Sequence, residues 1–192
     1  MILIINCGSQ KTIYIEQAVD LVCDFRTIGM FELKSIDLNS FDGIIISGAP
    51  ILITEINPDK YLEIFSWVKN YEKPLLGICF GHQIIGMING AFASRQKEDR
   101  DWQTIEQCNE SVLFNKLANE FQMMEDHCEC ISIPHDFNLI ASSDSCVNEG
   151  MQHKTKQIYG VQFHPEVSGN HGFILIENFV NLCLNNFSSE NK

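Results

Sequence analysis

The chain has 192 residues, of which 45% are hydrophobic and 20% are charged, and these proportions are typical of a globular domain of ordinary size. Its 25 acidic and 13 basic residues give a formal charge of -12, which argues against nucleic acid and anionic membrane surfaces as partners. The segment from Met1 to Cys7 is too short for the apolar region of a secretory signal and lacks a basic n-region, and no apolar run reaches membrane-spanning length. We therefore expect a single domain over residues 1–192, without a membrane segment.

The eight cysteines are scattered along the chain, and none belongs to a C-x-x-C pair. The closest spacing is Cys128-x-Cys130, and two thiols are too few ligands for a zinc ion, so the sequence predicts no metal site. Because the chain also contains no Walker-type loop and no G-x-G-x-x-G motif, we expect no cofactor. Cysteine usage of this kind predicts a reduced, cytoplasmic protein.

The N-terminal half alternates apolar runs with helical patterns. Residues 1–6 form a continuous aliphatic run that predicts a buried parallel strand, and apolar residues recur at helical spacing over residues 12–24. Further strands are predicted from Phe31 to Ile36 and from Ile44 to Ile46, and a helix is predicted from about Pro58 to Tyr71. This alternation predicts an α/β fold with a doubly wound, mostly parallel sheet.

The stretch from Pro74 to Gln83 predicts a sharp change from a buried strand to a helix, with Cys79 at the corner. Gly77 and Gly81 bracket this cysteine, which gives the G-x-nucleophile-x-G elbow with Cys in place of Ser. The glycines permit a tight turn, and the start of a helix favours the reactive thiolate. A buried, inert cysteine between two turn glycines remains the alternative.

The second half is predicted to be richer in antiparallel strand. The charged residues 95–101 have no periodicity and are predicted to form a solvated loop. Four short strands are expected at 102–108, 128–133, 139–142 and 157–163, several of them separated by turn signals. A helix is expected from about Gly172 to Leu184.

His164, Pro165 and Glu166 directly follow the last predicted strand, and the proline keeps the histidine backbone extended. A thiol nucleophile needs an imidazole to move its proton, and the imidazole needs a carboxylate to fix its tautomer. Cys79, His164 and Glu166 are therefore the candidate catalytic residues. The alternative is that His164 is a core or capping histidine and Glu166 a surface charge.

Together, the sequences GICFGHQ at 77–83 and YGVQFHPEV at 159–167 resemble the signatures of class I, triad-type glutamine amidotransferases. Within that family the chain is most similar to the glutaminase part of GMP synthetases, through CGSQ at 7–10 and SGAP at 47–50. The resemblance implies a flavodoxin-like sheet. It also implies hydrolysis of the side-chain amide of L-glutamine through a γ-glutamyl thioester on Cys79, with release of ammonia.

The resemblance also implies roles for neighbouring residues. Backbone N–H groups of Phe80 and of the Gly48-Ala49 turn would form the oxyanion hole, and Gln83 would bind the substrate. Two positions depart from the family pattern: Ala49 replaces a common second glycine, and Asp126 to Ile131 replaces an S-H-G-D-x-V segment. The role of the second segment is left open.

The chain contains no S-G-G-x-D-S pyrophosphatase loop of the kind found in GMP synthetases. The hypothesis is therefore that a separate synthetase or synthase subunit receives the ammonia, although the sequence names neither the acceptor nor the oligomeric state. Two alternatives stay open. The same triad is compatible with a stand-alone γ-glutamyl hydrolase, and the fold is compatible with an inactive regulatory or binding module.

Overall fold

The computed structural model describes residues 1–190, with side chains described as far as Asn185. The strands are β1 (Ile2–Asn6), β2 (Phe25–Gly29), β3 (Gly43–Ile46), β4 (Leu75–Ile78), β5 (Ala93–Asp99), β6 (Trp102–Gln107), β7 (Glu120–Met124), β8 (His127–Ile131), β9 (Phe137–Ser142), β10 (Gly150–His153) and β11 (Ile158–Val161). The α-helices are α1 (Thr12–Asp20), α2 (Asp59–Ile64), α3 (Phe80–Ile88) and α4 (Gly169–Glu190).

Nine of these strands form one sheet, in the order β2-β1-β3-β4-β11-β10-β9-β6-β7. The first five in that order are parallel and the remaining pairs are antiparallel. Counted along the chain, the parallel strands have the 2-1-3-4-5 order of flavodoxin-like sheets. The predicted α/β, doubly wound architecture with an antiparallel second half is confirmed. Strands β5 and β8 form a separate antiparallel pair.

Helices cover both faces of the parallel half. On β1, Ile2 and Ile4 belong to the apolar cluster that includes residues of α1 and α4, whereas Leu3 and Ile5 belong to the cluster on the side of α2 and α3. Because successive side chains on a strand point to opposite faces, a strand buried on both sides must be apolar throughout. Within the part of the chain that is described, no helix is long and apolar enough to cross a membrane.

The predicted strand from Phe31 to Ile36 is wrong. The second strand is Phe25–Gly29, and it is followed by a 3-10 helix at Met30–Ser35. Helix α1 ends at Asp20, earlier than predicted, which frees the next residues to pair with β1 at the edge of the sheet. An edge strand is only half buried, so it lacks the long apolar run that marks an interior strand.

The predicted loop over residues 95–101 is also wrong, because most of that segment belongs to β5. The strand is almost entirely exposed and pairs only with β8, so no apolar alternation identifies it. Strands β7 and β10 were not predicted either. The other strands lie close to their predicted positions, the long helix predicted before the elbow is broken after Ile64, and α4 begins at Gly169.

Candidate active site

The strand-to-helix elbow is present at Cys79, between β4 and α3. Cys79 has φ 50° and ψ -103°, in the left-handed half of conformational space that residues with a side chain rarely adopt. Both flanking positions require glycine, because neighbouring backbone atoms leave no room for a side chain. A Cβ atom at Gly81 would lie 2.4 Å from the carbonyl oxygen of Ile46, and one at Gly77 would lie 2.5 Å from the backbone of Gly81. The strained corner is therefore fixed by packing on both sides.

His164 reaches the same edge of the sheet from the neighbouring strand. Strand β11 is parallel to β4, with Val161 opposite Ile78, and the N–H group of Cys79 donates to the carbonyl oxygen of Val161 at 2.8 Å. The two chain segments that leave these strands therefore run beside each other, and the side chains of Cys79 and His164 are in hydrogen-bonding contact. The structure brings together the nucleophile and the base that the sequence predicted.

Glu166 completes the arrangement. Its Oε1 atom lies 2.7 Å from Nδ1 of His164, and both side chains are almost fully buried. Burial disfavours a charged imidazole, but the negative charges of Cys79 and Glu166 outweigh it and raise the pKa of His164 to about 10. The charged, proton-donating form of the imidazole is thus favoured at neutral pH.

The predicted oxyanion turn lies directly beside these groups. A Cβ atom at Gly48 would lie 3.2 Å from Cε1 of His164 and 3.7 Å from Cβ of Cys79. The Ser47 hydroxyl holds the turn, because it accepts a hydrogen bond from the Cys7 N–H group and donates one to the Gly48 carbonyl oxygen, both at 2.9 Å. Phe80 is the first residue of α3, where backbone N–H groups have no partner within the helix.

Gln83 is buried and belongs to a chain of amide groups that ends at the thiol of Cys79. Its Nε2 donates to Oε1 of Gln162 at 3.1 Å, and Nε2 of Gln162 approaches Sγ of Cys79 at 3.5 Å. Gln162 was not predicted as a site residue. It lies two positions before His164, and that period-two spacing at the end of a strand is the signal that was available.

Cys79 borders two cavities. One, of ≈ 380 Å³, extends toward Gln83, Arg95, Arg100 and the segment 126–129, and is also lined by Ala49 and Phe80. The other, of ≈ 440 Å³, lies between His164 and residues 8–11. Both volumes lie within the range, roughly 300–1,000 Å³, that small-molecule sites occupy.

The family model for glutamine amidotransferase class-I matches residues 3–182. The chain belongs to the class-I glutamine amidotransferase family. It is 38% identical over 144 residues to a glutamine-hydrolyzing GMP synthase subunit of Pyrococcus furiosus, covering 73% of this chain and 75% of that protein. The corresponding subunit of Methanocaldococcus jannaschii is 33% identical over 189 residues, which is 95% of this chain and 97% of the relative.

A solved structure from Thermoplasma acidophilum, described as that of a GMP synthase subunit, superimposes with a TM-score of 0.90 at 30% identity over 100% of this chain and 97% of that one. The GMP synthase of Vibrio atlanticus is 32% identical over 188 residues, and this chain spans 36% of its length. The predicted family and its similarity to the glutaminase subunit of GMP synthases are therefore confirmed.

In this amidotransferase, Glu129 belongs to the segment from Asp126 to Ile131, whose role the sequence does not indicate. Its side chain connects that segment to the wall of the first cavity. Its carboxylate accepts hydrogen bonds from the N–H groups of Ile53 and Thr54, at 2.8 and 2.9 Å, and from the Thr54 hydroxyl at 2.5 Å. Glu129 is 2% exposed. The 51–55 loop has no regular secondary structure, and the buried carboxylate supplies the hydrogen-bond acceptors for its backbone N–H groups.

Two arginines of the segment predicted to be a solvated loop, Arg95 and Arg100, line the first cavity. Arg95 pairs with Glu55, and Arg100 lies 2.7 Å from Glu98 and 3.2 Å from Asp126. The sequence predicts a solvated loop here, because an exposed charged segment has the same composition whether it lines a cavity or faces bulk water.

His82, the other histidine near the elbow, is fully buried. Burial lowers its pKa to about 3, so the imidazole is neutral at physiological pH. Its ring packs against Gly160, where a Cβ atom would lie 2.6 Å from Nδ1 of His82. His82 is therefore a packing residue of the amidotransferase interior.

Proposed function

We propose that this chain hydrolyses the side-chain amide of L-glutamine through a γ-glutamyl thioester on Cys79, and that the ammonia passes to a separate synthetase subunit of the GMP synthase type. The observation that carries the proposal is the alignment of Cys79, His164 and Glu166 at one edge of the sheet, beside a cavity of amino-acid size. We also propose that residues 1–192 form one amidotransferase domain, which the family match over residues 3–182 supports.

The first half of the reaction is acyl transfer to sulfur. The Cys79 thiolate attacks the amide carbon of glutamine, and the carbonyl oxygen becomes an oxyanion in a tetrahedral intermediate. The carbon–nitrogen bond then breaks as the His164 imidazolium donates its Nε2 proton to the leaving nitrogen, which departs as ammonia. Nε2 is available for this transfer because Nδ1 is held by Glu166.

The second half regenerates the enzyme. His164, now neutral, removes a proton from a water molecule, whose oxygen attacks the thioester carbon. The carbon–sulfur bond breaks, glutamate leaves, and the proton on His164 again faces the Cys79 thiolate. Glu166 stabilises the imidazolium in both halves and keeps the same tautomer throughout.

The oxyanion is stabilised by the backbone N–H groups of Phe80 and of the Gly48-Ala49 turn. Ala49 keeps the N–H group that a glycine would offer, and the turn is fixed in advance by Ser47. Donors held in place before the reaction need no reorganisation when the charge develops. Gln83 contributes to the wall that holds the glutamine side chain.

A separate acceptor polypeptide is supported by the descriptions of the relatives. The similar proteins of Pyrococcus furiosus and Methanocaldococcus jannaschii are each described as one subunit of a glutamine-hydrolyzing GMP synthase. We infer that the remaining chemistry lies on another polypeptide, which docks over the edge that carries Cys79.

The test is to measure glutamate and ammonia release by the purified chain, with and without the synthetase subunit of a GMP synthase. We expect hydrolysis that rises when the partner and its substrates are added, and none in the Cys79→Ser variant. A glutamine-mimicking electrophile should form an adduct that mass spectrometry locates on Cys79. Full activity without any partner, with γ-glutamyl amines turned over as fast as glutamine, would instead identify a stand-alone γ-glutamyl hydrolase; no hydrolysis and no adduct would identify an inactive module.

A further inference from the structure

A second cluster of titratable side chains lies close to the active site and has no role in the proposed reaction. It consists of Glu125 in the β7–β8 turn, His127 at the start of β8, and Glu149 just before β10. These residues are 1%, 7% and 0% exposed. One potential ligand atom from each lies within 4.8 Å of the other two. Three separate positions in the chain thus converge on one small volume.

The histidine of this cluster has a defined tautomer. Its Nδ1 atom lies 3.1 Å from the carbonyl oxygen of Glu129, which can only accept, so Nδ1 carries a hydrogen. Nε2 is then the atom directed at the carboxylates, 3.2 Å from Oε2 of Glu125. Histidines that bind metal ions commonly donate their other ring N–H to a carbonyl in this way.

The two glutamate carboxylates have more hydrogen-bond acceptor sites than the surrounding residues supply with donors. Oε1 of Glu149 accepts a hydrogen bond from the Ser143 hydroxyl at 2.7 Å. Its Oε2 and both oxygens of Glu125 are buried without a well-aligned donor in the part of the chain whose side chains are described. Buried acceptors in this state are costly, since each has lost its hydrogen bonds to water.

The cluster also lacks positive charge. Among the ion pairs of residues 1–185, His127 is the one basic side chain that contacts these carboxylates, and even a protonated His127 would leave one of two ionised glutamates without an opposite charge.

We propose that Glu125, His127 and Glu149 form a binding site for one divalent transition-metal ion such as Zn²⁺. One imidazole nitrogen and two carboxylate oxygens are ligands that zinc accepts, and three protein ligands leave a fourth position. A tetrahedral ion with bonds of about 2.0 Å separates its ligand atoms by about 3.3 Å, close to the spacing of the His127 and Glu125 atoms. A bound ion would coordinate the unpaired carboxylate oxygens and would also supply the positive charge that the cluster lacks.

Binding at this site would connect the active-site wall to the sheet. His127 and Glu129 line the cavity that Cys79 borders, and Glu129 holds the 51–55 loop. A metal ion shared with Glu149 would fix the β7–β8 turn to the start of β10, and so fix that wall. The site goes beyond the proposed hydrolysis, in which no step involves it.

The experiment measures zinc binding by the full chain after removal of metal with a chelator under reducing conditions. It is done in the Cys79→Ser background, because Cys79 and His164 would themselves attract zinc. We expect one zinc ion per chain, quantified by elemental mass spectrometry and by competition with a chromophoric chelator, together with a rise in melting temperature. Glu149→Gln and Glu125→Gln should each weaken zinc binding by about 100-fold or more. The loss of a metal ligand should lower the affinity at least as much as the loss of a residue that supports a ligand.

His135→Ala is the matched control, because that exposed histidine also contacts a carboxylate, at 2.9 Å from Asp136, and should leave zinc binding unchanged. Circular dichroism identifies any variant that fails to fold, and the second glutamate variant then carries the test. Failure to retain zinc in the parent would overturn the proposal. So would zinc binding that survives both glutamate substitutions but is lost in Cys146→Ser, because the ion would then be held by the neighbouring thiols of Cys130 and Cys146. Neither outcome depends on glutamine hydrolysis, so the two proposals stand or fall separately.

Discussion

Oε1 of Glu166 lies 2.7 Å from Nδ1 of His164, two residues earlier in the chain, and both side chains are almost fully buried. Pro165 between them begins a single 3-10 turn that brings the carboxylate back beside the ring. The carboxylate partner of the imidazole is therefore set locally, whereas Cys79, the other group in hydrogen-bonding contact with it, comes from a distant part of the chain. This geometry makes the charge on His164 depend on Glu166.

Glu166→Gln is expected to move the alkaline limb of the pH–activity profile to lower pH by about one to two units. Glu166 and Cys79 hold the pKa of His164 at about 10, so removal of the carboxylate charge lowers that pKa, and the proton-donating imidazolium is lost at lower pH. Two carboxyl groups of the β7–β8 turn, Glu125 and Asp126, also interact electrostatically with His164 and remain in the variant. The measurement is kcat/KM for glutamine from pH 6 to 10. An unchanged alkaline limb would show that Glu166 does not control the charge of the imidazole.

Gly48→Ala is expected to lower kcat by about tenfold or more with little change in stability, because small displacements of reacting groups are costly. The added Cβ atom would lie 3.2 Å from Cε1 of His164, closer than carbon atoms normally approach, and would displace the ring. Gly29→Ala is the matched control, since its Cβ atom would meet only the flexible side chain of Glu32, at 3.5 Å. Steady-state kinetics and urea denaturation separate the two effects. Equal kcat in both variants would contradict the assignment of this turn to the site.

Glu129→Ala is expected to lower the free energy of unfolding by about 2–3 kcal/mol and to raise KM for glutamine. The substitution leaves the buried N–H groups of Ile53 and Thr54 without their acceptor, so the loop beside the first cavity loses its support. The exposed Glu63 provides the control, since Glu63→Ala removes a carboxylate that is not buried. Urea denaturation and glutamine kinetics give the two readouts. A variant as stable as the control would mean that the carboxylate of Glu129 is replaceable by water.

Gly81→Ala is expected to destabilise the chain by about 1–3 kcal/mol or more, since overpacking against backbone has no cheap relaxation. Its Cβ atom would lie 2.4 Å from the carbonyl oxygen of Ile46, on the neighbouring strand β3. The elbow would have to move away from the sheet, so the reactivity of Cys79 toward a glutamine-mimicking electrophile should fall as well. Urea denaturation and the alkylation rate test the two expectations. Native stability with native alkylation would contradict the close packing of helix α3 on β3.

The local sequence was sufficient to predict those features of the structure that residues close together in the chain determine. The aliphatic runs of β1, β3 and β4, the glycines around Cys79 and the His-Pro-Glu turn predicted the parallel sheet, the elbow and the three catalytic candidates. Each of these features depends on steric rules that act within a few residues. The family resemblance rested on the same two short segments.

Long-range pairing decided the rest. The edge strand β2 and the exposed strand β5 have weak apolar patterns, because their structure is imposed by the partner strand and not by burial. Gln162 beside Cys79, Glu129 beneath the 51–55 loop, and Glu149 next to Glu125 are pairs that only the folded chain brings together. A sequence records which side chains exist. The distances between residues far apart in the chain, on which hydrogen bonds and metal ligation depend, exist only after the strands have taken their order in the sheet.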